Sequence, residues 1–352
     1  MHNYRRFILF ILLLSILSGC TGTPALQIPA SIADGGINSG LEFISAPENA
    51  APTPTPFKPL PPTAVYVPVS TEVPLSDVPP TAAPESIFSY GESEPQPILS
   101  QPPGQINILL LGADARPGNK KFRTDTIILV TLNPRLGTVN MLSFPRDLYI
   151  HIPGVGMNRI NTAYFYGKVP LVMQTFKYNF GIRPDHYVII NFSSFKRIID
   201  SLGGLNVYVS KKLQDYRAGY WVTIPKGSVH MDADTVLWYV RSRKTTNDFQ
   251  RNQRQQDVLR SIFNRLISLD GIKRLPEFYD LYKNNVMTDL TLADLIPLIP
   301  LAAQVSKDQS RIKQYFVGSG KVSSWITPGG AMVLLPDKAK VKNIVKKSQN
   351  IK

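Results

Sequence analysis

The chain has one cysteine, Cys20, in 352 residues. No disulfide can form within it, and a cysteine-rich zinc site or a thiol nucleophile is excluded. Its four histidines, His2, His151, His186 and His230, are scattered without ligand spacing. There is no GxSxG elbow, no Walker-type phosphate loop and no HExxH helix, which removes the common hydrolase, nucleotide-binding and zinc-protease signatures. The apolar run at the start, Phe7 to Leu17, is too short for a comfortable membrane span of about 20 residues. Acidic residues are also few: 25 Asp/Glu stand against 39 Lys/Arg, a formal net charge of +14.

Proline is unevenly spread. Of 30 prolines, 18 fall between Thr21 and Gly104. That stretch, with Pro52, Pro54 and Pro56 alternating with threonine and then Pro61-Pro62 and Pro79-Pro80, favours extended, polyproline-like conformations over a packed core. Residues 1–104 carry 3 of the Lys/Arg and 8 of the Asp/Glu, which leaves the remainder at a formal +19. Such a field favours anionic partners: nucleic acid, lipid head groups or phosphorylated small molecules.

Arg5 and Arg6, the apolar run and then Leu17-Ser18-Gly19-Cys20 resemble a bacterial lipoprotein signal, with Cys20 as the lipidation site. An uncleaved N-terminal anchor helix is the alternative, and either reading puts the protein on the outer face of the cytoplasmic membrane. The expected organisation is a signal peptide at 1–20, a Pro/Thr-rich extracytoplasmic linker at 21–104, a catalytic domain at 105–320 and a C-terminal extension with a basic tail at 321–352. The lysine-rich run from Lys338 to Lys352 reads as a solvated or membrane-facing surface.

Strand signals at Ile106–Leu111, Thr126–Leu132, Thr138–Phe144, His186–Phe192 and Leu205–Val209 alternate with helical periodicity at 170–180, 193–202, 232–239, 252–269 and 291–305. Ser193 or Ser194 is the expected cap of the second of these helices. The alternation points to a layered α/β fold.

Polar residues concentrate where strands end, the place ligands gather in open α/β sheets. If the first two strands are neighbours, Asp114 and Asp125 converge. Two carboxylates suit Mg²⁺, which takes one or two of them plus phosphate oxygens and water; each alone also reads as a turn or cap residue. Arg116, Arg123, Arg146, Arg241, Arg243, Arg251 and Arg254 add guanidinium groups able to grip phosphate through paired hydrogen bonds. Arg241 and Arg243 share a face if their segment is extended. Arg251, Arg254 and Gln255 fall at a helix start, where backbone N–H groups add anion affinity.

The ordered set Asn107–Asp114, Arg123-Thr124-Asp125-Thr126, Ser143-Phe144-Pro145-Arg146-Asp147, Arg159–Tyr164 and Val240–Arg243 with Arg251–Gln256 resembles the LytR–CpsA–Psr family, also named for a cell-envelope-related transcriptional attenuator domain. The resemblance implies an envelope phosphotransferase that moves a glycopolymer from a polyprenyl-pyrophosphate carrier to peptidoglycan, leaving a phosphodiester link. It implies an α/β fold, a single α/β/α layered sandwich with a mixed central sheet and an apolar groove or tunnel for the polyprenyl chain, and Mg²⁺ (or Mn²⁺) on Asp114 and Asp125. It implies pyrophosphate binding by Arg123, Arg146, Arg241, Arg243, Arg251 and Gln255, with catalytic roles for Arg146, Asp147, Arg241 and Arg243. Asp147 is either a base or an arginine-orienting partner, and Asp114 is the other base candidate. Partners would be the lipid-linked glycan, peptidoglycan and, through a lipid anchor, the membrane. A phosphohydrolase or a non-catalytic pyrophosphate-lipid binder is the alternative. Nucleic acid is disfavoured by the export signal and by the lack of a helix-turn-helix. Two departures stand out: the lipoprotein-like start, and Tyr166-Gly167-Lys168 where the family commonly has a Gly-Gly pair.

Overall fold

The computed structural model describes residues 94–113 and 121–351. Asp114, Arg116, Cys20 and the signal and most of the linker lie outside them. In chain order the elements are β1 (Ile106–Ala113), β2 (Thr124–Asn133), β3 (Thr138–Phe144), β4 (Tyr149–Ile152), β5 (Gly156–Arg159), α1 (Ala163–Phe180), β6 (His186–Asn191), α2 (Phe192–Ser201), β7 (Leu205–Val209), β8 (Leu213–Arg217), β9 (Tyr220–Ile224), β10 (Gly227–Met231), α3 (Ala233–Arg241), α4 (Asp248–Ser268), α5 (Leu275–Lys283), β11 (Met287–Thr288), α6 (Leu292–Leu295), α7 (Ile299–Lys307), β12 (Ile312–Phe316), β13 (Val322–Ile326), β14 (Met332–Pro336) and α8 (Lys338–Ser348).

Six strands form the central sheet in the order β11-β6-β1-β2-β3-β12. β1 runs parallel to β6 and antiparallel to β2, and β3 runs parallel to β12. The sheet is therefore mixed, as the family resemblance implies. One face, built from Leu109, Leu111, Ile127, Leu129, Leu142 and Phe144, packs on Val172, Phe176 and Phe180 of α1 and on Val341 and Val345 of α8. Phe144, Phe176 and Phe180 meet at centroid distances of 5.0, 4.8 and 5.4 Å, mostly edge to face, an arrangement that adds to simple area burial. The opposite face, with Ile108 and Val188, is covered less completely. Leu110, Val130 and Leu132 stay partly open there beside Tyr282 and Val286. α4 crosses this second face, where the fully buried Gln256 donates from Nε2 to Ser143 Oγ (2.7 Å) and to Tyr315 O (3.0 Å). A satellite core joins the β7–β10 ribbon to α2, α3 and α4 through Ile199, Val207, Val236, Tyr239 and Val258.

Several local expectations change. α2 is capped by Asn191, whose Oδ1 accepts from Ser194 N–H at 2.8 Å, and not by Ser193 or Ser194. Pro297 and Pro300 split the expected 291–305 helix into α6, a single 3₁₀ turn and α7, because proline removes helical N–H donors. α1 begins earlier than residue 170 but is broken at Gly167 and at Lys168, whose φ is 56° and ψ −155°. Residues 338–348 are not a plain solvated run: α8 turns Val341, Val345 and Ser348 into the core. Leu99 N–H donates to Gly181 O at 2.9 Å, and its side chain packs on the core beneath α1.

Candidate functional site

Sheet direction brings the C-terminal ends of β1, β3 and β6 to the same edge as the start of β2. Ala113 pairs with Thr124 across a register shift at the end of β1, so Asp125 stands beside the strand end that leads into Asp114. Such bulges re-aim side chains at functional edges. Gly112 is required here: a Cβ on it would lie 2.8 Å from Thr126 Cβ.

Arg146 follows β3 directly. Its Nη1 lies 3.1 Å from Asp125 Oδ1 and its Nε 3.3 Å from Asp147 Oδ2. The second oxygen of Asp147 faces Arg159 Nε at 3.4 Å. Asp147 is thus held between two arginines. Burial works against the charge on Arg146, but Asp125 and Asp147 outweigh it and raise its pKa.

Arg251, in the first turn of α4, has only 6% of its side chain exposed. Its Nη1 meets Asp248 Oδ1 at 3.1 Å, while Nε and Nη2 are buried with no hydrogen-bond partner among the described residues. Burial, then the positive charges of Arg146 and Arg243, push its pKa down, with Asp248 and Asp125 offsetting part of this. Arg243 is exposed, with Nη1 3.8 Å from the same Asp248 oxygen. Arg146, Arg159, Arg243 and Arg251 thus share three carboxylates, those of Asp125, Asp147 and Asp248, and two buried donors of Arg251 have no partner among the described residues. An oxyanion is the group that completes such a set.

The other expected residues are placed unequally. Arg241 ends α3 and stacks over the Phe192 ring at 4.2 Å. It does not share an extended face with Arg243, because the helix runs through Arg241 and Ser242 is its C-cap. Arg123 is exposed at the lip of β2. Gln255 is turned toward α3, with Nε2 3.4 Å from Val240 O. Arg254 is spent on structure, donating to Tyr239 O at 2.9 Å and to Ser242 O. Among the described residues no group of three or more His, Cys, Asp or Glu is arranged to hold a metal. Asp125 offers one carboxylate, 41% exposed, with Arg146 on one oxygen.

Sequence reasoning gave no role to Arg159, Asp248, Asp215 or Phe192. Arg159 was visible in its motif. Asp248 sits in a capping box, Asn247 with Gln250, a signal readable as S/T/N-x-x-Q. Asp215, on β8 and 1% exposed, accepts from Ser242 Oγ and from Lys244 N–H (3.0 Å), and so fixes the loop that carries Arg243. Nothing local in the sequence marks it. Around the lip, Phe122 stacks on Tyr164 at 4.4 Å, with Lys168 Nζ over both rings.

The fold is a mixed α/β sandwich with an arginine–carboxylate centre at one sheet edge. The LytR_cpsA_psr family model matches residues 83–350, and the chain belongs to that family. It is 34% identical over 233 residues to the polyisoprenyl-teichoic acid–peptidoglycan teichoic acid transferase TagT of Bacillus subtilis (strain 168), covering 63% of this chain and 72% of that one. It is 36% identical over 202 residues to TagU of Oceanobacillus iheyensis, with the same transferase description, covering 55% and 62%. The crystal structure of B. subtilis TagV superposes with a TM-score of 0.59 at 27% identity, over 70% of this chain and 98% of that one. TagT bound to LI-WTA superposes with a TM-score of 0.56 at 29% identity, over 74% and 97%. None of the described helices is long and apolar enough to cross a membrane.

Proposed function

We propose that this chain is an envelope phosphotransferase that moves a glycopolymer from a polyprenyl-pyrophosphate carrier to peptidoglycan. The observation that carries the reading is Arg251, buried with two unpartnered N–H groups beside Arg146 and Arg243. The names of the relatives, which act on polyisoprenyl-linked teichoic acid and peptidoglycan, supply the substrate class.

In the reaction a sugar hydroxyl of the acceptor bonds to the phosphorus that carries the glycan. The bridging P–O bond breaks, and polyprenyl phosphate leaves with its electron pair. Such transfers depend on in-line placement and on neutralising oxygen charge. Arg146, Arg243 and Arg251 grip the pyrophosphate oxygens, and Arg241 and Arg123 close around it from the lip. Asp147 orients Arg146 and Arg159; with both its oxygens committed, the hydroxyl proton falls to Asp114 as the carboxylate to test. Asp125 fits a Mg²⁺ ligand, a hard oxygen donor at the strand edge that leads into Asp114. Bound there, the ion would neutralise phosphate charge. The partly open apolar sheet face and the Phe122–Tyr164 lip suit a polyprenyl chain. Cys20 would carry the lipid that holds the enzyme on the outer face of the bacterial cytoplasmic membrane.

The test is reconstitution of the full chain with a polyprenyl-pyrophosphate-linked glycan, peptidoglycan and Mg²⁺. Glycan attached to peptidoglycan, with polyprenyl phosphate released, is expected. Glycan phosphate released without attachment would mean a phosphohydrolase, and binding without turnover a carrier-lipid binder; either result overturns the transferase.

A further inference from the structure

Residues 322–336 carry no charged side chain, in a chain with 39 Lys/Arg and 25 Asp/Glu. They form the ribbon β13–β14, whose last cross-strand pair before the turn sets Ile326 opposite Met332. These two side chains are 63% and 68% exposed. The turn between them, Thr327-Pro328-Gly329-Gly330-Ala331, is well formed: Thr327 N–H donates to Ala331 O at 2.9 Å and Gly330 N–H to Thr327 O at 2.8 Å. Exposed ribbons usually protect themselves with charge. This one presents an apolar pair at its tip and no charge along its length.

Charge returns at the foot of the ribbon, and it is basic. Lys321, Lys338, Lys340 and Lys342 line a cavity of about 1120 Å³ there, against two acids, Glu94 and Asp337, the latter paired with Lys340 at 3.0 Å. The ribbon is also fastened to the arginine centre. Arg159 Nη2 donates to Met332 O at 2.8 Å, and Leu334 N–H donates to the main-chain oxygen of Asp147 at 2.9 Å. A parallel bridge joins Leu148 to Leu334.

We propose that the β13–β14 tip is a membrane contact, with Ile326 and Met332 entering the head-group boundary of an anionic bilayer and the lysines meeting lipid phosphates. Apolar faces of peripheral elements sink about 5–10 Å into that boundary. A five-residue strand rises about 17 Å, so with the tip inserted the lysines stand within side-chain reach and a Debye length, about 8 Å, of the surface. Charge complementarity selects anionic lipid as the occupant: an apolar point backed by lysines matches a negatively charged interface. Because the ribbon is tied to Asp147 and Arg159, docking sets the height of the arginine centre above the lipid. The inference does not depend on the transferase reading.

The test is amide hydrogen exchange of the full chain, reconstituted into vesicles of phosphatidylcholine alone or of phosphatidylcholine with phosphatidylglycerol. In the anionic vesicles, exchange over residues 325–333 should slow by about fivefold or more. Ile326→Ser and the double variant with Met332→Ser should each lose most of that slowing while keeping the melting temperature, since both side chains are exposed. Equal exchange in the two lipids, or slowing that survives the double variant, would overturn the proposal. Slowing that appears in detergent and grows with protein concentration would also overturn it, and would assign the ribbon to a second copy of the chain.

Discussion

Replacing Arg251 removes a buried charge whose Nε and Nη2 have no partner among the described residues. Truncating one member of a buried ion pair is ordinarily destabilising, but here Asp248 keeps Arg243 at 3.8 Å and its place in the first turn of α4. Arg251→Met should therefore hold stability within about 1 kcal/mol. The same variant should lower kcat/KM by about 10²–10³-fold, the usual cost of losing a donor aimed at developing oxygen charge. Thermal unfolding and steady-state kinetics on one preparation would check both. Lys168 shows the opposite balance. Its φ of 56° and ψ of −155° belong to a region that is essentially glycine's, and strain there costs about 1–3 kcal/mol. Its cation contacts with Phe122 and Tyr164, at 5.8 and 5.1 Å, return part of this. Lys168→Gly is expected to raise the melting temperature by about 2–4 °C, and an unchanged or lowered value would count against the strain argument.

At the scale of elements, the α3–α4 connection decides where Arg243 sits, and Asp215 on β8 holds that connection. Burial pushes the Asp215 carboxyl up, but the hydrogen bonds from Ser242, Tyr216 and Lys244 prevail and its pKa is lowered. A carboxyl depressed on folding contributes stability above its unfolded pKa and loses it as pH falls through the folded value. Asp215→Asn should therefore destabilise the protein most near neutral pH, by about 1–3 kcal/mol. The gap to the parent should close below about pH 4. Melting curves across pH would show it. Because the loop then loosens around Arg243, kcat/KM should also fall, by roughly tenfold.

For the whole molecule, the sheet brings one edge's worth of charge together, and the balance of that edge is positive. If Mg²⁺ on Asp125 completes the neutralisation, a chelator should abolish turnover and Mg²⁺ should restore it. Asp125→Asn should then need more Mg²⁺ than the parent for half-maximal rate. A pyrophosphate titration by calorimetry, with and without Mg²⁺, gives a second reading: the arginines alone should still bind, but more weakly. Turnover indifferent to chelation would remove the metal from the site.

Much of this protein was determined by its sequence alone. Four of the six central strands (β1, β2, β3 and β6), the ribbon strand Leu205–Val209 and the ordered Arg/Asp motifs were readable because apolar runs and turn residues are local signals, whereas the short edge strands β11 and β12 were not. That polar residues gather at strand ends was readable too, but the meeting of Asp125 with Arg146 was decided by the pairing of β2 with β3. Other features were decided only by tertiary structure. Arg254 became a strut and Arg251 kept two unpartnered donors, although both stand on the same helix start, because one faces the carbonyls of α3 and the other faces Arg146 and Arg243. Asp215 gained its role from a loop 27 residues away. The short hairpins β4–β5, β8–β9 and β13–β14 are too brief to announce themselves by periodicity. The lysine-rich end became a core helix because the sheet face and α1 left a groove that Val341 and Val345 fill. Local pattern fixes which segments can be strands or helices, whereas a side chain's task depends on what long-range packing sets opposite it.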